Sequence, residues 1–473
     1  TTLIKTCLNR REIPTAWQIF DLMKLKSRAT APDAHTFALM LHACALEGAS
    51  ERALNLFRDM TDRMKLKPTK ETYHALIHAL AMRRDYYQEV WRYATYMQQE
   101  GFKMDRRVLG TLIQACGKRG DLTRARMLVR HMLGSGKEDI IPSSATYQCL
   151  FRAYANAEMV KKCAKFAEGE SLETSVPYVG PDTRLVNQEE SFKEDTLPFS
   201  QNTILNHRME VMREAKRVMR WLCAVKPDLV DTQLMNAFLD VYFGRKTAGF
   251  RANHHMLKRF YYIAFTDPKE SDYIELTTSS AGAKGLTPEL NASAPAPATT
   301  DTDTHADIDT EPDRNTDRES PDQLTFQKRV PRNLYTFQIA LNSAYRNRDL
   351  SFAWDICGDR IKYLRTKQYL EYREPERERL DVQAECSLIN TLARCEMLGE
   401  AAARLEAACL KYKICWPDIA TLHIKAKQLE DFQTLKVMKR CVGGTPYRDY
   451  ATGVRFKPRW GDRGQVQEFS GTS

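Results

Sequence analysis

At 473 residues and 43% hydrophobic content, the chain holds enough apolar material for several domains or one extended array, and too much length for a single compact core. No apolar run approaches the roughly 18 residues that cross a bilayer, so no membrane span is expected. The formal charge of +10 is uneven: residues 269–322 carry 13 acidic against 4 basic side chains, a net of −9, which leaves about +19 elsewhere and favours a polyanionic partner.

The chain opens at Thr1 directly in a helical pattern; no targeting segment is visible, and that decides nothing. A 36-residue register follows. Pro32-Asp33, Pro68-Thr69 and Met104-Asp105 stand one period apart, and Thr36-Phe37 is answered by Thr72-Tyr73 and, after a slightly longer fourth unit, by Thr146-Tyr147. Apolar residues at helical spacing predict a first helix in each unit, over 36–44 (TFALMLHAC), 72–80, 108–116 and 146–154. Short polar turns at 47–49 and 119–121 contain glycine, which ends helices readily. Second helices are predicted over 52–60 and 124–132, with Ala53 and Ala125 small enough for close helix approach. A lone hairpin of this size cannot bury its apolar faces, whereas stacked hairpins bury a continuous core. The expected fold is therefore all-α.

The twelve cysteines include no C-x-x-C pair, which argues against a zinc or redox site. Cys7, Cys44 and Cys116 share one position of the first helix, with Leu80 and Tyr154 taking it in other repeats, so this is expected to be a core slot of reduced thiols.

Beyond the fifth first helix, residues 161–206 are rich in Glu, Ser, Thr, Pro and Gly and read as a largely irregular insertion, because a second-helix pattern resumes at 211–222. Repeat six starts near Asp231, with its second helix at 254–265. Residues 268–326 have the composition of an acidic, low-complexity disordered linker. Helical pattern returns at 334–345 and 352–357, then at 386–408 and 419–441. The organisation expected is thus repeats one to five over 1–160, an insertion over 161–206, the rest of repeat five and repeat six over 207–267, a linker over 268–326, degenerate repeats over 327–441 and an extended basic aromatic tail over 442–473. In the tail, Tyr447, Arg448, Tyr450, Arg455, Phe456, Lys457, Arg459 and Trp460 interleave rings that stack on bases with cations that pair with phosphates. Docking of those aromatics on the last helices is the competing reading.

The repeating unit, with its Thr-Tyr start, apolar first helix, alanine-containing second helix ending near Met and closing Pro-Asp, resembles the pentatricopeptide repeat; the tetratricopeptide set of Trp, Gly-Tyr and late Pro is missing. The resemblance implies a right-handed α-solenoid of about eight to nine stacked hairpins, some degenerate, in the mitochondrial matrix, binding single-stranded RNA or rRNA at about one base per repeat. Carried over position by position, the base-facing pairs are Thr1 with Asp33, Ala38 with Thr69, His74 with Asp105, and Gly110 with Ser143, followed by Gln148, Asn236 and Gln338 from later repeats. Thr1 with Asp33 matches a family combination associated with guanine. Ala38 and Gly110 offer a base no side-chain donor or acceptor, and His35, Glu71 and Arg107 stand where the family usually has an aliphatic residue, so shape or backbone recognition is expected above a base code.

No catalytic residue, metal, cofactor or small-molecule substrate is expected: H-x-E with a later C-x-x-C is absent, Gly-rich phosphate loops are absent, and the aspartates of 301–313 lie in the linker. His254-His255 reads as a helix-surface pair. Three functions fit: a non-catalytic RNA-binding protein of mitochondrial RNA maturation, stability or translation; a structural component of the mitochondrial ribosome, the small subunit favoured; or a protein scaffold such as a respiratory-complex assembly factor.

Overall fold

A computed structural model describes residues 1–25, 31–157, 198–199, 205, 207–243, 251–273 and 329–442. The basic aromatic tail from Tyr447 to Trp460, most of the insertion and most of the acidic linker lie outside the described residues.

The described residues form nine helical hairpins. In chain order they are α1 (Thr2–Asn9) with α2 (Ile13–Leu25), α3 (Ala34–Glu47) with α4 (Ser50–Arg58), α5 (Lys70–Ala81) with α6 (Tyr87–Gln99), and α7 (Arg106–Arg119) with α8 (Leu122–Gly134). Next come α9 (Ser144–Asn156) with α10 (Arg208–Val225), and α11 (Thr232–Phe243) with α12 (Arg251–Ala264). After α13 (Leu334–Asn347) and α14 (Leu350–Tyr363), the short α15 (Lys367–Leu370) leads into α16 (Glu374–Arg394) with α17 (Leu398–Cys409), and α18 (Ala420–Gln428) with α19 (Phe432–Val442) closes the stack. First helices pack on first helices along the whole series, from α1 on α3 to α16 on α18, so the fold is an α-solenoid.

The Thr-Tyr signature has a local cause. Asp33, Thr69, Asp105, Ser143 and Asn333 are extended residues just before the first helices, and Asp231 takes the same place before α11; the residue three positions on closes a hydrogen-bonded cap, a threonine in four of the six and Val108 or Leu234 through the amide alone in the other two. Asp33 Oδ1 accepts from the Thr36 amide at 2.8 Å and from its hydroxyl at 2.5 Å. Thr69 with Thr72, Ser143 with Thr146, and Asn333 with Thr336 repeat the arrangement, which satisfies helix-start amides that otherwise lack partners. These threonines are buried between neighbouring first helices. The tyrosine or phenylalanine after each one, Phe37, Tyr73, Tyr147 and Phe337, enters the core.

Fifteen residues after the cap, the chain turns through the left-handed region at Gly48, Gly120 and Arg348, and Arg11 does the same in the first hairpin. Apolar pairs such as Leu76-Ile77, Leu112-Ile113 and Leu150-Phe151 are fully or almost fully buried, each side chain contributing about 1.5–3 kcal/mol of transfer free energy. Cys44 and Cys116 lie in this core and Cys7 at its margin; burial pushes both of the former thiols up to about 12, so they stay protonated and inert.

Two long excursions leave this register intact. α10 reaches α8 and α9 through Glu214, which has no solvent exposure and accepts from Arg126 at 2.6 and 2.8 Å and from Tyr154 at 2.6 Å. Across the second excursion, β1 (Phe265–Thr266) and β2 (Val330–Pro331) pair in parallel, so the chain re-enters beside the point where it left. Near the end, α16 begins well before the pattern at 386, and Asp381, inside the helix, takes no cap role. Instead it accepts from Arg360 at 2.6 Å and Tyr369 at 2.6 Å, while Glu385 joins Arg360 to Arg404.

Candidate nucleic-acid interface

The first helices α3, α5, α7 and α9 leave one face uncovered by second helices, and this face forms a groove of about 820 Å³. Its lining falls into rows because residues two, five and nine positions after each cap share one side of a helix. In order along the helices, the first row is His35, Glu71, Arg107 and Ala145; the middle row is Ala38, His74, Gly110 and Gln148; the third row is His42, His78, Gln114 and Arg152.

Of the residues expected to face bases, Ala38, His74, Asp105, Gly110, Ser143 and Gln148 line this groove together. Thr1 and Asp33 meet through Thr36, whose hydroxyl is 3.5 Å from that of Thr1 and donates to Asp33. Thr69 and Ser143 serve as helix caps, and so does Asp33, held below the usual carboxylate range by the hydroxyl and amide of Thr36. Asp105 caps α7 through Val108 at 3.0 Å and pairs with Lys70 Nζ at 2.8 Å, so both of its oxygens are engaged.

Two of the later positions are differently used. Asn236 is 7% exposed; its amide donates to Asn333 at 2.9 Å and its oxygen accepts from Thr336 at 2.8 Å, so it clamps α11 to α13. Gln338 donates to Asn342 and Ser387, each at 3.1 Å, and bridges α13 to α16. Gln148 lies beside Asp231 at 3.5 Å, which makes Asp231 and Asn333 the cap partners of Gln148 and Asn236. Those partners follow from the register once it is carried across the two excursions, over which a fixed period cannot be counted.

The third row was open to the same counting, since His42 and His78 are 36 apart, but nothing in composition marks it. In the structure the His42 and His78 rings lie 6.1 Å apart at 18° and His74 and His78 6.3 Å apart at 8°. Burial lowers all three imidazoles below their ordinary value, with Arg107 adding to the effect on His42 and His74, and His78 reaches about 4. At neutral pH each ring is thus an uncharged donor and acceptor. The cationic character comes from Arg106, Arg107 and Arg152, which line the groove and form no ion pair among the described residues.

His254 is not the surface pair expected. Only His255 is exposed; His254 bonds Ser343 at 2.9 Å and Asp349 at 3.0 Å, the latter shared with Lys258. This linkage has the order of a hydrolytic triad, but Ser343 is 3% exposed between packed helices, which denies a substrate access to the hydroxyl. Among the described residues no group of three His, Cys, Asp or Glu is placed to hold a metal ion, and no helix is long and apolar enough to cross a membrane.

A family model described as pentatricopeptide repeat-containing protein matches residues 3–132, which include all but the first residue of α1, all of α2 to α7 and most of α8. These N-terminal hairpins are similar to pentatricopeptide repeats. Similar proteins include the mitochondrial 15S rRNA processing factor CCM1 of Yarrowia lipolytica, 24% identical over 95% of this chain and 59% of that protein. The mitochondrial 15S rRNA processing factor ppr3 of Schizosaccharomyces japonicus is 25% identical over 51% of this chain and 36% of its own length. The chain spans about half the length of the curated relatives it matches, or less. Among solved structures, the pentatricopeptide repeat protein PPR10 from maize aligns over 94% of this chain and 54% of its own, at 14% identity and a TM-score of 0.41. Three of the four first helices that form the groove, α3, α5 and α7, lie within the residues that the family model matches.

Proposed function

We propose that this pentatricopeptide-repeat chain binds single-stranded RNA along the groove of α3, α5, α7 and α9 and acts, without catalysing a reaction, in the processing of mitochondrial small-subunit rRNA. The carrying observation is the groove itself: a run of four repeats whose open face combines the cations of Arg106, Arg107 and Arg152 with flat, uncharged imidazoles. Phosphates need the former, and unstacked bases accept the latter. Relatives over most of the chain are mitochondrial 15S rRNA processing factors, which supports both the compartment and the class of RNA. Pairs such as Thr1 with Asp33 and His74 with Asp105 then flank alternate nucleotides, with Asp33 and Asp105 also holding their helices.

Crosslinking in mitochondria followed by sequencing of the recovered RNA tests this reading. Enrichment of small-subunit rRNA or its precursor is the expected result. Recovery of no RNA overturns the proposal, and constant co-sedimentation with an assembled ribosomal subunit turns it toward a resident ribosomal component.

A further inference from the structure

The groove has an internal mismatch. At the middle row, where a base edge is expected to be met, Ala38 and Gly110 present no polar atom, and they alternate with His74 and Gln148. The polar side chains of that row are already engaged: His74 Nε2 lies 3.4 Å from the Thr111 hydroxyl, and Gln148 donates to Ser144 at 3.2 Å. One turn further along the same helix faces, the third row is polar in all four repeats. The ring nitrogens of His42 and His78 bond nothing among the described residues, and the Gln114 amide makes only a long 3.9 Å contact with Met82 Sδ.

We propose that where the middle row is Ala or Gly the nucleobase is met one helical turn further along the first helix, so that His42 reads the base at Ala38's repeat and Gln114 reads the base at Gly110's repeat. Space permits it. A Cβ placed on Gly110 meets nothing within 4 Å, so the groove is open above Gln114. His42 and His78 are near parallel, and a flat imidazole face is a stacking surface for an unpaired base. A neutral imidazole and a carboxamide each carry both a donor and an acceptor, which suits the edge of a base and not a phosphate. The alternation of small and polar residues at the middle row then shifts the point of recognition by one turn from one repeat to the next without breaking it.

This inference rests on the RNA-binding reading, and the test separates the two. The full 473-residue chain is used to select from a random pool of single-stranded RNA about 20 nucleotides long, and affinities for the selected sequence and the unselected pool are compared across variants. His42→Ala and Gln114→Ala are each expected to weaken the selected RNA roughly tenfold and the unselected pool by a clearly smaller factor. Reselection is expected to erase preference at two nucleotides two positions apart, since the residues belong to alternate repeats. Gly110→Asn, which fills the open space, is expected to change the preferred nucleotide at the position that Gln114→Ala erases; thermal melts confirm that each variant is folded. Unaltered preferences in these variants, or a wild-type chain that binds every sequence equally, overturn the inference and leave RNA binding standing. A wild-type chain that binds no RNA overturns the functional reading itself.

Discussion

Glu214 is a carboxylate with no solvent exposure, and its cost of burial is offset only because Arg126 grips it at two points and Tyr154 at a third. Removing one member strands the others' polar groups in the core. Glu214→Ala is expected to destabilise the fold by about 3–5 kcal/mol, read from the shift in a urea unfolding curve, with Glu214→Gln losing less. In sequence Glu214 is one more polar residue on an amphipathic helix, and its partner lies 88 positions earlier, so no spacing rule finds it. The groove histidines carry a different dependence. Their folded-state values lie below the ordinary 6.5, so between that value and about 4 for His78 the unfolded chain binds protons that the folded chain refuses. The stability they support is whole above pH 6.5 and falls as pH drops through that window. Melting temperatures measured from pH 7 to pH 4 are expected to decline in the wild type, and His78→Gln is expected to flatten the decline; identical profiles would refute the assignment.

At the scale of the helix, the same register position imposes different demands in different hairpins. Gly48 and Gly120 both end first helices in the left-handed region, at φ of +69° and +89°. A Cβ at Gly48 meets nothing, so Gly48→Ala is expected to cost about 1–2 kcal/mol of backbone strain. At Gly120 a Cβ falls against the Asn156 carbonyl at the end of α9, and Gly120→Ala is expected to cost about 2–4 kcal/mol in all, with thermal melts giving the difference between the two variants. Arg348 occupies the same turn in a later hairpin at φ of +55°, which shows that the position is not restricted to glycine throughout the array. The turn glycines were legible from the sequence as helix ends. The close approach of α7 to α9 was not, because it depends on how tightly two first helices 38 residues apart happen to pack.

For the whole molecule, a groove with three unpaired arginines predicts a definite salt response. Each neutralised phosphate of a single strand contributes about −0.7 to the slope of log affinity against log salt, so Arg106, Arg107 and Arg152 together give a slope of roughly −2 or steeper. Arg107→Ala and Arg152→Ala are each expected to flatten it by about 0.7 in filter-binding titrations, whichever RNA is used. A slope untouched by both changes places the phosphate path elsewhere. The two excursions do not break the array at this scale: the buried Glu214 cluster anchors α10 after the first, and the β1–β2 pairing brings the chain back after the second.

The sequence by itself determined the hairpin, its 36-residue period, the buried cysteine slot and the resemblance to pentatricopeptide repeats, because capping, turn chemistry and helical periodicity are local and recur with the chain. It also placed six of the base-facing candidates in one groove, since a shared register position means a shared helix face. Only the tertiary structure decided which of those side chains remain available. Asn236 and Gln338 are consumed by neighbouring helices, Asp105 by Lys70, and the His42–His78 row stands free, because hydrogen-bond occupancy depends on what packs beside a residue and not on its place in the repeat.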